Sequence, residues 1–166
     1  MARVNPRMIV PSLGAPGTVT DRSAELAKCE FHSGEADVEF VSFEEARAGG
    51  ARNYTAQLTM TQDHATGTLW SEVWDNAGDT ITGVYNPYGP AMTEPTVAQP
   101  WYGFYAVVSE PDGLIMGGEA TNSARAVASI EVEWELQANA EHANGKPIKL
   151  TTLAAYEEFI DPTPAP

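Results

Sequence analysis

Residues 126 to 136 alternate almost without error between apolar and polar side chains. One face of the segment carries Ala126, Ala128, Ile130, Val132, Trp134 and Leu136. The opposite face carries three carboxylates in succession, Glu131, Glu133 and Glu135, with no basic residue between them. Alternation with a period of two predicts a β-strand with one buried and one exposed face. Since neighbouring carboxylates repel each other and folding does not require them, we expect that this surface has to stay acidic.

The charge balance excludes one large class of function. The 166 residues include 9 Lys and Arg against 23 Asp and Glu, which gives a formal net charge of −14. Binding of nucleic acid by phosphate neutralisation needs clusters of basic side chains. The hydrophobic content of 43% is typical of a globular chain that buries a core. We therefore expect a globular protein that can lie beside DNA without binding it.

Cysteine content and apolar runs indicate a soluble protein made in the cytosol. Cys29 is the sole cysteine, so the chain has no internal disulfide, and a reducing compartment is expected. We interpret Cys29 as a small buried residue in a strand, because the sequence indicates no base to activate it. The apolar run at residues 8–10 is too short for a signal peptide, and no membrane insertion is expected.

The chain divides into three segments by composition. Residues 1–23 are rich in Pro and Gly and form a predicted N-terminal arm, residues 24–136 a β domain, and residues 137–166 a C-terminal extension. The arm is basic, with Arg3 and Arg7, and is interpreted either as a disordered terminus or as an arm that docks on an acidic neighbour. The extension contains one short amphipathic helix around Leu153–Ile160 and ends in extended prolines.

Weaker alternation predicts more strands within the domain. They are expected at 25–32, 38–43, 53–61, 79–85, 101–109 and 114–119, with a turn at 33–35. Residues 86–100 contain four prolines and are predicted to form a long loop of functional or assembly-linked character. The fold class is therefore mainly β: a β-sandwich or partly closed barrel with one short packed helix, extended arms and a Pro-rich loop.

The packed helix is predicted from Thr68 to Gly78. Leu69, Trp70, Val73 and Trp74 recur at three- and four-residue spacing, Thr68 is a suitable N-cap, and Gly78 a suitable stop. Because a helix this short is unstable alone, we expect all four apolar residues to pack on the sheet.

No pattern in the sequence indicates catalysis, a cofactor or a metal. The successive glutamates of residues 131–135 lie about 6.6 Å apart along a strand, within reach of the roughly 6.5–9.5 Å used by inverting glycosidases. Acid–base catalysis, however, needs two carboxylates in different environments, which equivalent solvated glutamates do not provide. The three histidines, His32, His64 and His142, lack zinc-site spacing. We predict that the protein is not an enzyme.

The order and spacing of several motifs resemble those of a known family. The motifs are Thr68-Leu-Trp-Ser-Glu-Val-Trp-Asp-Asn-Ala-Gly78, the Pro-rich loop, Gln99-Pro-Trp-Tyr-Gly-Phe-Tyr-Ala-Val-Val-Ser-Glu110, Gly117-Gly-Glu-Ala120, Ser123-Ala-Arg-Ala and Ile130-Glu-Val-Glu-Trp-Glu135. They are similar to the major tail (tail tube) proteins of long, non-contractile-tailed bacteriophages of actinobacterial hosts. The similarity covers residues 38 to 136 and leaves both termini uncovered.

The resemblance implies a structural virion protein. Six copies would form a ring, and stacked rings would form the tube that conducts DNA into the host cell. The implied partners are other copies of the chain, a tape measure protein inside the tube, and tail terminator and distal tail proteins at its ends. The virion tail, assembled in the host cytoplasm, is the implied location.

We state hypotheses for the residues that would line the channel and for those that would form contacts between rings. Glu131, Glu133 and Glu135 would face the channel and keep its wall acidic, because a basic wall would retain DNA. Alternatively, they face outside solvent. Arg3, Arg7, Tyr88 and Trp101 are candidate contacts between rings, which salt should weaken if they are surface charge pairs.

A second class of function stays open. A non-catalytic carbohydrate-binding or virion-surface β-sandwich would use exposed aromatic side chains as its platform. Trp101 and Tyr102 are the candidates for that platform.

Overall fold

Eight strands, three α-helices and a short 3-10 turn at Pro6–Met8 make up the regular structure of the residues that the structure describes. The computed structural model describes residues 3–36, 38–47 and 50–162. The strands are β1 Val10–Gly14, β2 Thr20–Asp21, β3 Leu26–Glu35, β4 Arg52–Thr61, β5 Thr80–Asn86, β6 Trp101–Val107, β7 Ser129–Gln137 and β8 Ile148–Leu150. The helices are α1 Phe43–Arg47, α2 Leu69–Asp75 and α3 Leu153–Ile160. The strands pair in the order β2-β1-β5-β6-β7-β4-β3, and β8 pairs with β6.

Strand β7 joins the two halves of the sheet. Residues Ser129–Glu135 pair antiparallel with β4, and Leu136 and Gln137 pair with β6. Ile130, Val132, Trp134 and Leu136 are buried, so the predicted alternation is confirmed from residue 129 onward. Ala126 and Ala128, predicted on the same buried face, are exposed and precede the strand.

The two halves fold over one main core. Leu13, Phe104 and Ala106 from one half belong to the same cluster as Leu58 and Trp134 from the other. The ring of Phe31 in β3 meets that of Phe104 edge to face at 4.9 Å. The predicted mainly β fold is confirmed.

Helix α2 covers the main core, as predicted, but presents fewer side chains to it. The Thr68 side chain caps the helix by accepting a hydrogen bond from Ser71 N, and Leu69, Trp70 and Val73 are buried. The prediction that Trp74 is a core residue is wrong, because 49% of its surface is exposed. The helix ends at Asp75, and with about two turns only one narrow face reaches the sheet.

A second core lies on the opposite face of the β5–β6 half. Val84, Trp101, Ile148, Leu150 and Phe159 form it. Gly103 makes this packing possible, because a Cβ there would lie 2.6 Å from the Phe159 ring. The predicted helix near the C-terminus is confirmed as α3. However, β8 and α3 are part of the packed body, so residues 137–162 are not an appended extension.

The N-terminal residues also differ from the prediction. Residues 10–14 pair with β5 as strand β1, and Leu13 is buried in the main core. The assignment of residues 1–23 to an arm outside the core is therefore wrong for β1. The prolines were misleading, because β1 pairs with β5 along its whole length but with β2 only at Ser12 and Leu13. Pro11 therefore has no strand partner on its β2 side, where a missing N–H is tolerated.

Three local predictions fail in the loops. Residues 38–42 are irregular and lead into α1, where Ser42 and Glu45 form a reciprocal capping box. Residues 114–119 contain no strand, and β3 continues through the predicted turn to Glu35, which pairs with Arg52. Pro164 and Pro166, predicted to be extended, lie outside the described residues.

Phe159→Ala tests whether α3 is part of the fold. Because the ring fills the space above Gly103, we expect a loss of about 3 kcal/mol in the free energy of unfolding. Denaturant titration measures it, with the exposed Glu157→Ala on the same helix as control, expected within about 0.5 kcal/mol of the parent. Equal stability of the two variants would show that α3 is not integral to the body.

Candidate assembly surfaces

The acidic face consists of Glu131, Glu133 and Glu135 on the outer side of β7. All three are exposed, as predicted. Their cross-strand neighbours on β4 are Thr59, Gln57 and Thr55, none of which carries a charge. The face is therefore a row of like charges without a paired base on the neighbouring strand.

An open groove of about 750 Å³ borders the acidic face. Residues 109–114 run beside β7, where the Trp134 indole N–H donates to the Ser109 carbonyl at 3.0 Å. Glu110 and Asp112 line the groove together with Glu131 and Glu133, so four carboxylates meet there. Lys28 also lines it, but its ammonium is paired with Glu30 at 3.0 Å. All four carboxylates are exposed, so burial sets none of them apart as a general acid.

The tip, residues 38–47 of the β3–β4 connection, exposes apolar side chains. Phe40 is 79% exposed and Phe43 is 85% exposed, and Val38 and Val41 beside them are exposed as well. Burial of a phenylalanine side chain is worth roughly 1.5–3 kcal/mol. Exposed aromatic side chains in a group are typical of a surface that another molecule covers.

The base, residues 62–79 and 108–128, exposes a second apolar group. Its members are Trp74, Leu114, Met116 and Val127. The two segments are tied together, because the Gln62 amide exchanges hydrogen bonds of 2.7 and 2.8 Å with the backbone of Gly117. The Trp70 indole N–H also donates to the Ile115 carbonyl at 2.9 Å. The base is therefore one surface built on α2.

Strand direction places the tip and the base at opposite ends of the sheet half formed by β3, β4 and β7. The tip belongs to the connection between Glu35 and Arg52, which are paired at one end of β3 and β4. At the other end of β4, Thr61 pairs with Ser129, and Gln62 N donates to Ala128 O at 2.9 Å. The segments that follow residue 61 and precede residue 129 therefore leave from the end remote from the tip.

Strand β3 has an open edge. It pairs with β4 on one side and ends the strand order on the other. Among the described residues, no strand pairs with this second edge of its ten residues. A long unpaired edge is a template for pairing with another chain.

The predicted contacts between rings are partly grouped in the structure, because Tyr88 packs against the second core, which contains Trp101, and Met8, next to Arg7, lies against Gly89. Arg7 is exposed in a short 3-10 turn at Pro6–Met8, and Arg3 precedes it. Tyr88 is half-buried, with its backbone N–H bonded to the Asn86 side chain. Trp101 is only 6% exposed, because Tyr156 of α3 packs edge to face on it at 5.0 Å. The prediction of Trp101 as an exposed contact or sugar platform is therefore wrong, and Tyr102 beside it is half-buried.

A stack of three aromatic rings, in which the buried Trp70 lies between the exposed His64 and Trp74, was not predicted. The imidazole of His64 stacks on Trp70 at 3.9 Å, and Trp70 stacks on Trp74 at 5.5 Å. The i, i+4 spacing of the two tryptophans could have indicated their contact, but nothing local indicated His64.

Cys29 is packed where a thiolate is disfavoured. It lies against the main core, and burial raises the pKa of its thiol from 9.0 to about 12, with a smaller contribution from Glu30. Burial also raises the pKa of the nearby Tyr85. Within residues 3–36, 38–47 and 50–162, no three His, Cys, Asp or Glu side chains are grouped to hold a metal ion.

Comparison with known proteins gives no match. No protein-family model matches the chain, and no curated protein or solved structure matches it either. No helix in the part of the chain that the structure describes is long and apolar enough to cross a membrane.

The Cys29 pKa predicts a loss of stability in alkali. Above the usual thiol pKa the unfolded chain loses a proton that the folded chain keeps, so stability falls as pH rises from about 9 towards about 12. We expect the parent to lose about 1 kcal/mol more than Cys29→Ala between about pH 8 and about pH 10. Denaturant titrations at both pH values measure this, and equal losses would contradict it. The tyrosines are the same in both proteins.

Proposed function

We propose that the protein is a structural virion subunit, a major tail (tail tube) protein of a long, non-contractile-tailed bacteriophage. Its copies form stacked hexameric rings that conduct DNA into the host cell. The family resemblance at residues 38–136 suggests this function, and the distribution of exposed apolar side chains supports it.

The observation that carries the proposal is the presence of apolar surfaces at opposite ends of the β3, β4 and β7 sheet half. When two different surfaces of one subunit bind each other, the contact is heterologous and can continue as an open polymer. Phe40 and Phe43 at the tip would pack against Trp74, Leu114 and neighbouring residues at the base of the next copy. Such a contact gives every subunit the same direction, as stacked rings require.

The open edge of β3 supports contacts within a ring. A strand of a neighbouring copy can pair with this edge and satisfy its backbone N–H and C=O groups. Pairing around the ring would extend the β7-β4-β3 half into a closed wall. An exposed edge that is a hazard in a monomer would then be covered in the assembly.

The position of the acidic face supports a role in conducting DNA. Glu131, Glu133 and Glu135 lie on the outer side of the same β7-β4-β3 half, so a closed wall would carry one carboxylate row per subunit. In our proposal this side faces the bore, where negative charge prevents DNA from adhering. A tape measure protein inside the tube, and tail terminator and distal tail proteins at its ends, are the partners that this role implies.

A carbohydrate-binding module is the second candidate. The burial of Trp101 removes its principal platform. The half-exposed Trp74 in the His64–Trp70–Trp74 stack is the surface on which a sugar ring could still stack. Quenching of tryptophan fluorescence by sugars, lost in Trp74→Ala, would favour this function.

Replacing the tip aromatics tests the proposal. Phe40→Ser/Phe43→Ser removes apolar surface that is not used within the fold, so we expect a folded monomer that forms no rings or tubes. Negative-stain electron microscopy and sedimentation at high protein concentration measure assembly, and circular dichroism confirms folding.

Leu153→Ser, at an exposed apolar position on α3, serves as the matched control and should assemble like the parent. Trp74→Ala, at the opposite end, should fail in the same way as the tip variant. Normal tubes from the tip variant would contradict the proposed contact.

A further inference from the structure

Carboxylates surround the apolar side chains of the tip. Glu39, Glu44 and Glu45 are exposed among residues 38–47, against one basic residue, Arg47. Glu45 has a local role, because its carboxylate accepts from Ser42 N at 2.9 Å. Glu44 lies in the first turn of α1, where negative charge is favourable, whereas Glu39 precedes the helix and its charge has no such explanation.

The base is acidic as well. Its basic residue is Arg125, and its carboxylates outside the groove beside β7 are Asp63, Glu72, Asp75, Asp79 and Glu119. All of them except Glu72 are exposed. Asp75 directly follows the exposed Trp74, and Glu119 lies three residues after Met116, so charges and exposed apolar residues are close in the sequence of the base.

We propose that electrostatic repulsion between these like-charged ends restrains stacking, and that cations in solution release the restraint. The inference rests on the proposed function, in which the tip of one copy meets the base of the next. Burial of the apolar side chains favours the contact, whereas the carboxylates around them oppose it. Screening by salt weakens the repulsion between carboxylates much more than it weakens the burial of apolar side chains.

The range of the repulsion makes salt an effective control. Exposed charges interact over a Debye length, which is about 30 Å at an ionic strength of about 0.01 M and about 10 Å at about 0.1 M. At low salt all the carboxylates of both ends therefore contribute, and at physiological salt only near neighbours do. Salt is therefore expected to promote assembly. If Arg3 and Arg7 held the rings together through charge pairs, salt would instead weaken assembly.

Assembly of the full-length protein as a function of NaCl tests the inference. The critical protein concentration for sedimentable polymer is measured between about 0.01 M and about 0.3 M NaCl. We expect it to fall by about tenfold over this range, and the fall to be smaller for Glu39→Gln/Glu44→Gln, which should assemble more readily at low salt. Glu157→Gln, an exposed glutamate on α3 away from both ends, is the control and should behave like the parent.

The outcomes separate the inference from the proposed function. A critical concentration that is constant or rises with salt would overturn the repulsion and favour attraction through basic residues, while polymer formation itself would still support the tube. An equal salt response of the parent and Glu39→Gln/Glu44→Gln would also overturn it. Absence of any assembly in the parent at every salt concentration would contradict the proposed function and the inference together.

Discussion

Strand β7 pairs with both halves of the sheet, and this pairing determines the main core and the position of the acidic face. Its inner side supplies four buried residues, including the fully buried Trp134, whose indole N–H is satisfied by the Ser109 carbonyl. Because side chains alternate along a strand, burial of this side forces Glu131, Glu133 and Glu135 outward. The same strand therefore fixes the main core, the course of residues 109–114 and the position of the acidic face.

The sequence predicted those elements whose pattern is local and strict. The alternation of β7 and the helical spacing of Leu69, Trp70 and Val73 gave the correct elements, since burial of one face requires such periodicity. Strand β1 was missed because Pro11 breaks the pattern, although a proline is tolerated in a strand with little pairing on one side. The exposure of Trp74 and the burial of Trp101 were not predictable, because the first depends on which face α2 turns to the sheet and the second on where α3 packs.

Some large apolar side chains lie outside both cores, at the tip and at the base. The main core and the second core account for the internal apolar residues, yet Phe40 and Phe43 at the tip and Trp74 at the base stay exposed. A monomer gains nothing from leaving such side chains in water. The sequence pattern placed residues 38–43 in a strand and therefore gave no sign of the tip, which became visible only with the three-dimensional arrangement of the loops.

A helical reconstruction of the assembled protein by electron cryomicroscopy, at a resolution that defines side chains, is the most direct measurement. We expect that the open edge of β3 pairs with a strand of the adjacent copy, and that Glu131, Glu133 and Glu135 line the central channel. A polymer in which this edge faces solvent and the three carboxylates lie on the outer wall would contradict the account.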